Sequence, residues 1–290
     1  MMKDLPTLLR ERASSGAKAR IVGQVRALFN DQARGEAPVE RSTAAMFSPD
    51  AVIGRVHGDV VSMMVGGVAA LLLQMLHPAV LAGVWDHSNF RTDMLGRLRR
   101  TARFIAVTTY GERTDAEAVI ARVRAVHAHI AGTLPNGTPY RADDPALLAW
   151  VHVSEAWCFL AAWQRFGEHR LGMAEQDAYY AAFAEVGELL GAASLPRDRA
   201  GTDRYLQTMR PQLVADARTR EVARFVLEQT PANPLALPVQ RIVMQAAVDL
   251  LPAWARRMHG LAGSPALMRP VFTSGTRNLA RTLRWAFVEQ

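Results

Sequence analysis

The chain has 290 residues, half of them hydrophobic, with one cysteine and a formal net charge of +7. A lone cysteine excludes disulfides within the chain and thiolate metal clusters, and the scarcity of β-branched runs and tyrosine disfavours a sheet-based fold. The arginine excess lacks the basic-aromatic interleaving, zinc spacing or helix-turn-helix pattern of a nucleic-acid binder, so it points to an anionic ligand, a membrane surface or plain genomic preference for Arg over Lys.

Residues 1–50 are polar and uneven, and 1–44 read as an N-terminal helical extension. An amphipathic helix over 17–30 would carry Ile21, Val25, Leu28 and Phe29 on one face. The first twenty residues lack an apolar signal core, which predicts a cytoplasmic protein. Asp59 is placed to cap a long apolar helix running from Val60 to Leu76. That run contains Ser62, Gly66, Gly67 and Gln74, and a membrane span needs about 20 apolar residues. It therefore reads as a buried core helix, with a membrane-inserted segment as the alternative. His77-Pro78 breaks the helix, because proline has no amide hydrogen and disfavours helix in the residue before it.

A second apolar run, Ala79–Trp85, leads into Asp86-His87-Ser88. The cationic cluster Arg97-Leu98-Arg99-Arg100-Thr101 opens a helix over 97–107 that ends by Tyr110-Gly111. Thr114-Asp115-Ala116-Glu117 reads as the next helix start, with acidic residues favouring the dipole. That helix is expected to run to Ile130 and close at Gly132, with an apolar stripe of Ile120, Val123, Val126/His127 and Ile130. The stripe places His127 on the buried face and turns His129 elsewhere. Residues 134–144 read as loop. Asp144-Pro145 is an N-cap followed by a first-turn proline. The helix after it reaches Phe166, with Leu148, His152, Glu155, Phe159 and Ala162 on one stripe. Further helices are expected at 174–190, 202–209, 211–229, 238–258 and 276–288, with Pro252 kinking or splitting the fourth of these. The fold class predicted is all-α, a single helical domain.

His77, His87, His127 and His152 stand out chemically. The HExxH pair of zinc hydrolases and the paired Glu-x-x-His of di-iron bundles are absent, and His152-x-x-Glu155 has the reverse order. A single inward histidine among apolar walls is how a haem iron is held. An arginine cluster can neutralise haem propionates. Structural histidines, a non-haem metal site from His127, His152 and Glu155, and a cofactor-free protein binding a lipid or polyketide remain open on the residues alone. Gly66-Gly67 is not a phosphate loop, Ser88 and Ser154 lack a nucleophile elbow, and Cys158 lies in an apolar helix.

The ordered strings GGVAALLLQMLHPAVLAGVWDHSNF, RLRRT, VRAVHAHIAG and YRADDPALLAWVH resemble the DUF2236 family over roughly residues 45–260. That family includes the bacterial latex-clearing rubber oxygenases and a fungal membrane-bound oxygenase that trims a farnesyl chain. The resemblance implies that residues 45–290 form a rubber-oxygenase-like domain with a globin-like core around haem b. His127 matches the proximal iron ligand. Arg97, Arg100 and Thr101 match an Arg-x-x-Lys-Thr segment over the haem. Arg100 stands where that segment has Lys, and a guanidinium stays protonated and cannot ligate iron as an amine can. Met94 stands where the family has Pro. Asp86 is the candidate base, and His77 and His152 are expected to support the cofactor. The function implied is a haem b-dependent oxygenase using dioxygen on an apolar, isoprenoid or lipid-like small molecule. Val60–Val84 would line its substrate channel, and peripheral membrane contact and no nucleic-acid partner are expected.

Overall fold

The most apolar part of the chain becomes the central helix of the protein. We describe residues 5–30, 35–231 and 233–287 of a computed structural model. Helix α1 (Leu5–Phe29) lies against the C-terminal helix, and the side chains of Leu28 and Phe29 lie outside the described set. After α2 (Val52–His57) comes α3 (Val60–Gln74), opened by Asp59, whose carboxylate accepts from the Ser62 amide at 2.8 Å. Helix α4 (Pro78–His87) leaves α3 at an angle of 104° across His77-Pro78. The imidazole of His77 caps α4 by accepting from the Ala79 amide at 3.3 Å.

Helix α5 (Met94–Tyr110) begins three residues before the cationic cluster, because the Asp93 carboxylate caps it through the Gly96 amide at 2.8 Å. Helix α6 (Arg113–Ala128) stops short of Ile130. The chain then forms a small antiparallel hairpin, β1 (Ala131–Thr133) and β2 (Pro139–Arg141), with Gly132 opposite Tyr140. Strands of three residues carry no readable alternation, which is why 134–144 reads as loop from sequence. Helix α7 (Pro145–Phe166) starts where expected, with Asp144 accepting from the Ala146 amide at 2.7 Å.

The remaining helices are α8 (Met173–Leu190), α9 (Arg199–Met209), α10 (Ala217–Leu227), α11 (Leu237–Leu250), α12 (Ala253–His259) and α13 (Arg269–Phe287). Pro252 splits the segment at 238–258 into α11 and α12. The expected helix at 211–229 begins only at Ala217, because 210–212 form a 3-10 turn with Pro211 inside it. The all-α fold class holds.

Helices α3 and α7 are the packed heart of the molecule. A Cβ placed on Gly66 would lie 2.8 Å from Phe159 Cδ1 and 3.0 Å from the Cys158 carbonyl, so the two backbones approach as only glycine permits. The helices are also tied by exchange: Gln74 Nε2 donates to the Val151 carbonyl at 3.0 Å, and Trp150 Nε1 to the Gln74 carbonyl at 3.2 Å. Val65, Leu72, Leu73, Trp150 and Phe159 are fully buried around this seam. Helix α7 is long and apolar enough to cross a membrane, and 67% of that apolar stretch is buried within the protein.

Candidate active site

Asp86, His87, Arg97, Arg100, Thr101 and His127 gather at one rim of the helical shell, whereas His152 and Glu155 lie in its interior on α7. Helices α5 and α6 pack together and fold back at Gly111-Glu112. Arg97 on α5 and His127 on α6 therefore lie equally far from the turn, on the order of 20 Å along their helices. The N-terminal turn of α5 follows α4, and α4 packs on the hairpin beyond α6. So α4, the first turn of α5, the last turn of α6 and the hairpin make up one end of the molecule.

His127 is half-buried there. Burial lowers its pKa against the opposing pull of Asp143, so the ring is neutral at pH 7. Its Nδ1 is buried and has no hydrogen-bond partner. An orphaned buried ring nitrogen costs free energy and is uncommon in folded proteins. The inward stripe predicted for α6 is only half realised. Ala116 and Ile120 are buried, but Val126 is 55% exposed, because nothing covers the C-terminal half of the helix on that side. His129 is exposed, its ring on the Ala125 carbonyl at 2.7 Å.

Arg97 is the second unusual group. Its Nη1 donates to Ser88 Oγ at 2.8 Å, and no carboxylate meets it among the described residues. Burial, helped by the charge of Arg100, lowers its pKa to about 10. A half-buried guanidinium met by a hydroxyl and by no carboxylate is a cation lacking a protein anion. The other members of the segment do not join it. Arg100 is exposed and pairs with Asp93 at 3.2 Å, and Thr101 is exposed with its hydroxyl donating to the Arg97 carbonyl at 3.3 Å. The cluster therefore faces two ways, one arginine inward and one outward.

Asp86 lies exposed at the end of α4 and accepts from the Tyr140 phenol at 3.0 Å. Burial and the Asp86 carboxylate push the Tyr140 pKa to about 12. The pair fastens β2 to α4. His87 sits edge-on to Tyr140, with ring centroids 6.5 Å apart. His77 is engaged in its cap, and burial lowers its pKa. His152 is buried in α7, donates Nε2 to the Phe183 carbonyl at 2.5 Å and stacks on Phe183 at 4.1 Å. Burial takes its pKa to about 4. Glu155, one turn further, has its pKa raised to about 7 by burial.

Two expectations are corrected by this arrangement. The centre of the shell is packed side chains: Val61, Val65, Ala69 and Leu72 form solid core rather than a channel wall, and the void beside His152 measures about 10 Å³. That is at the lower limit of what one water needs, so a macrocycle has no seat in the centre. Nor do His127, His152 and Glu155 converge, since no group of three or more His, Cys, Asp or Glu side chains suited to a metal ion occurs among the described residues. The groups whose chemistry suits a porphyrin lie at the rim. His127 supplies one neutral imidazole with a buried unpartnered nitrogen, and Arg97 supplies a half-buried cation met by no carboxylate among the described residues.

Residues 54–285 match the family described as ER-bound oxygenase mpaB/B'/Rubber oxygenase, catalytic domain. The chain belongs to this family. Two relatives, the uncharacterized proteins Mb2261 of Mycobacterium bovis and Rv2237 of Mycobacterium tuberculosis, are each 28% identical to it over 164 residues. The match covers 54% of this chain, which spans 64% of the length of those relatives. No solved structure matches. Membership of the oxygenase family gives Arg97 and His127 a setting that geometry alone does not. Sequence reasoning singled out both residues but missed the Ser88 contact that leaves Arg97 without a charge partner. It also missed the two-way split of the arginine cluster, which only the phase of α5 against α4 decides.

Proposed function

We propose that the protein is a haem-dependent oxygenase acting on an apolar, isoprenoid or lipid-like small molecule. The observation that supports it is the presence, at one end of an oxygenase-family domain, of an imidazole with an unpartnered buried nitrogen and a half-buried guanidinium met by no carboxylate among the described residues. In this reading His127 holds the iron and Arg97 receives a propionate. Bound there, haem supplies dioxygen activation.

The chain's own residues supply the rest. The neutral His127 ring is the form that can ligate a metal, and the depressed pKa keeps it so down to mildly acidic pH. Ser88 orients Arg97, fixing the direction from which a carboxylate can approach. Arg100, exposed and tied to Asp93, stays out of iron ligation and screens the entrance with positive charge. The Tyr140 phenol holds the exposed Asp86 carboxylate in place, where it can take a proton from a substrate carbon.

The test is the absorption spectrum of the purified protein after haem supplementation. A Soret band is expected, abolished in His127→Ala with the circular dichroism unchanged. Arg97→Gln should keep the band but weaken haem affinity by roughly thirtyfold, as removal of one partner of a desolvated charge pair does. A wild-type protein without a Soret band overturns the reading.

A further inference from the structure

Between Asp249 and Glu289 the sequence contains six arginines, Arg256, Arg257, Arg269, Arg277, Arg281 and Arg284, and not one carboxylate. The fold gathers part of this charge. Arg165 at the end of α7 is partly buried and faces Arg256, Arg269 and Arg277. Burial lowers its pKa, and those three cations add to the effect against the opposing pull of Asp249 alone. That carboxylate is already engaged: Oδ2 accepts from Ser264 Oγ at 2.6 Å and Oδ1 from the Ser264 amide at 2.7 Å. Arg165 and Arg256 donate to the Asp249 backbone carbonyl, at 3.1 and 3.2 Å, rather than to its carboxylate, and to the neutral Thr273 hydroxyl and Leu251 carbonyl. Four guanidinium groups thus share one carboxylate.

An exposed apolar tip adjoins the cluster. The turn at Pro265, where the Met268 and Arg269 amides both donate to the Pro265 carbonyl, carries the chain directly into α13. At that turn Leu267 is 91% exposed, Met268 44% and, one helical turn on, Val271 58%. Apolar side chains held outward beside an arginine cluster are the composition of an interfacial anchor, in which the aliphatic groups enter the acyl boundary and the cations meet headgroup phosphates.

We propose that this region, Leu267 and Met268 with Arg256, Arg269 and Arg277, docks the protein onto an anionic phospholipid surface. The charge complements such a surface. It disfavours a second copy of the chain on the same face, since that would set two cationic clusters against each other. The apolar tip gains nothing from a nucleic-acid backbone. The proposal stands independently of haem binding.

The experiment is co-sedimentation of the full chain with vesicles of phosphatidylcholine, with and without phosphatidylglycerol. Binding is expected only to the phosphatidylglycerol vesicles and should weaken as salt is added. Arg269→Gln with Arg277→Gln should lower partitioning roughly thirtyfold, the equivalent of about 1 kcal/mol for each cation removed. Leu267→Glu with Met268→Glu should lower it by at least about tenfold. Both pairs are on the surface, and unchanged thermal melting certifies the fold. Failure to bind phosphatidylglycerol vesicles, or binding that neither pair of substitutions alters, overturns the proposal. So does duplex DNA binding that the Leu267/Met268 pair leaves intact, or a dimer in solution that the same pair dissolves.

Discussion

His57 is enclosed by the rings of Phe159, Tyr179 and Phe183, its nitrogens on Thr109 Oγ1 at 2.8 Å and the Tyr179 hydroxyl at 3.2 Å. Burial, with the nearby His152, lowers its pKa to about 3, and His152 itself lies at about 4. Unfolded, both would titrate near 6.5. Below that value the unfolded chain takes up protons that the folded chain refuses, so each site removes up to about 1.4 kcal/mol of stability per pH unit on acidification. Glu155 works in the opposite sense. With its pKa raised to about 7, the folded chain holds the extra proton between the ordinary carboxyl range and pH 7, so the penalty is full above pH 7 and fades as pH falls. Two imidazoles outweigh one carboxyl, and His77, His127 and His259 are shifted in the same direction as His57. The urea midpoint should therefore fall steadily from pH 6.5 to pH 4.5. Glu155→Gln should stabilise the protein above pH 7, by at most about 3 kcal/mol, and do nothing near pH 4. A midpoint flat across that range would contradict the assignment of buried neutral histidines.

Adjacent glycines in α3 make opposite predictions at the level of elements. A methyl on Gly66 meets Phe159 Cδ1 at 2.8 Å and backbone atoms of α7 at 3.0 Å, whereas one on Gly67 meets only Phe159 Cε1, at 3.7 Å. Gly66→Ala should push α3 from α7 and cost about 1–3 kcal/mol. Gly67→Ala should be neutral or stabilising by up to about 1 kcal/mol, since it adds only helix propensity. Chemical denaturation of the two variants separates them. The elements themselves are largely legible in the sequence because their ends are chemical: Asp59 and Asp144 cap, and Pro78, Pro145 and Pro252 break or start helices. The phase of His127 is less legible. Ile120, Val123 and His127 do form a stripe, but periodicity cannot tell which half of a helix its neighbours cover. Gln74 and Trp150 lie inside the family-like strings, yet their hydrogen bonds join two helices, and only the Trp150 ring reaches a singled-out residue, His77, at 6.4 Å between centroids.

Across the whole molecule, helix α13 is locked to the beginning of the core. Arg284 Nε donates to the buried Asp59 carboxylate at 2.7 Å, and its Nη2 to the Phe166 carbonyl at 2.6 Å, tying α13 to the start of α3 and the end of α7. Arg284→Ala strands a buried carboxylate and should cost about 3 kcal/mol in urea unfolding. Adding Asp59→Asn should restore part of the loss, because asparagine still caps α3 without a charge. The 104° elbow at His77-Pro78 has a consequence of another kind. Laid end to end, α3 and α4 would reach on the order of 38 Å, more than the roughly 30 Å of hydrocarbon in a bilayer; as folded, α3 alone reaches only about 22 Å. One imino ring thus decides whether the greasiest stretch of the polypeptide could be threaded through a lipid leaflet pair as a rod, or is kept doubled over as the keel of the protein.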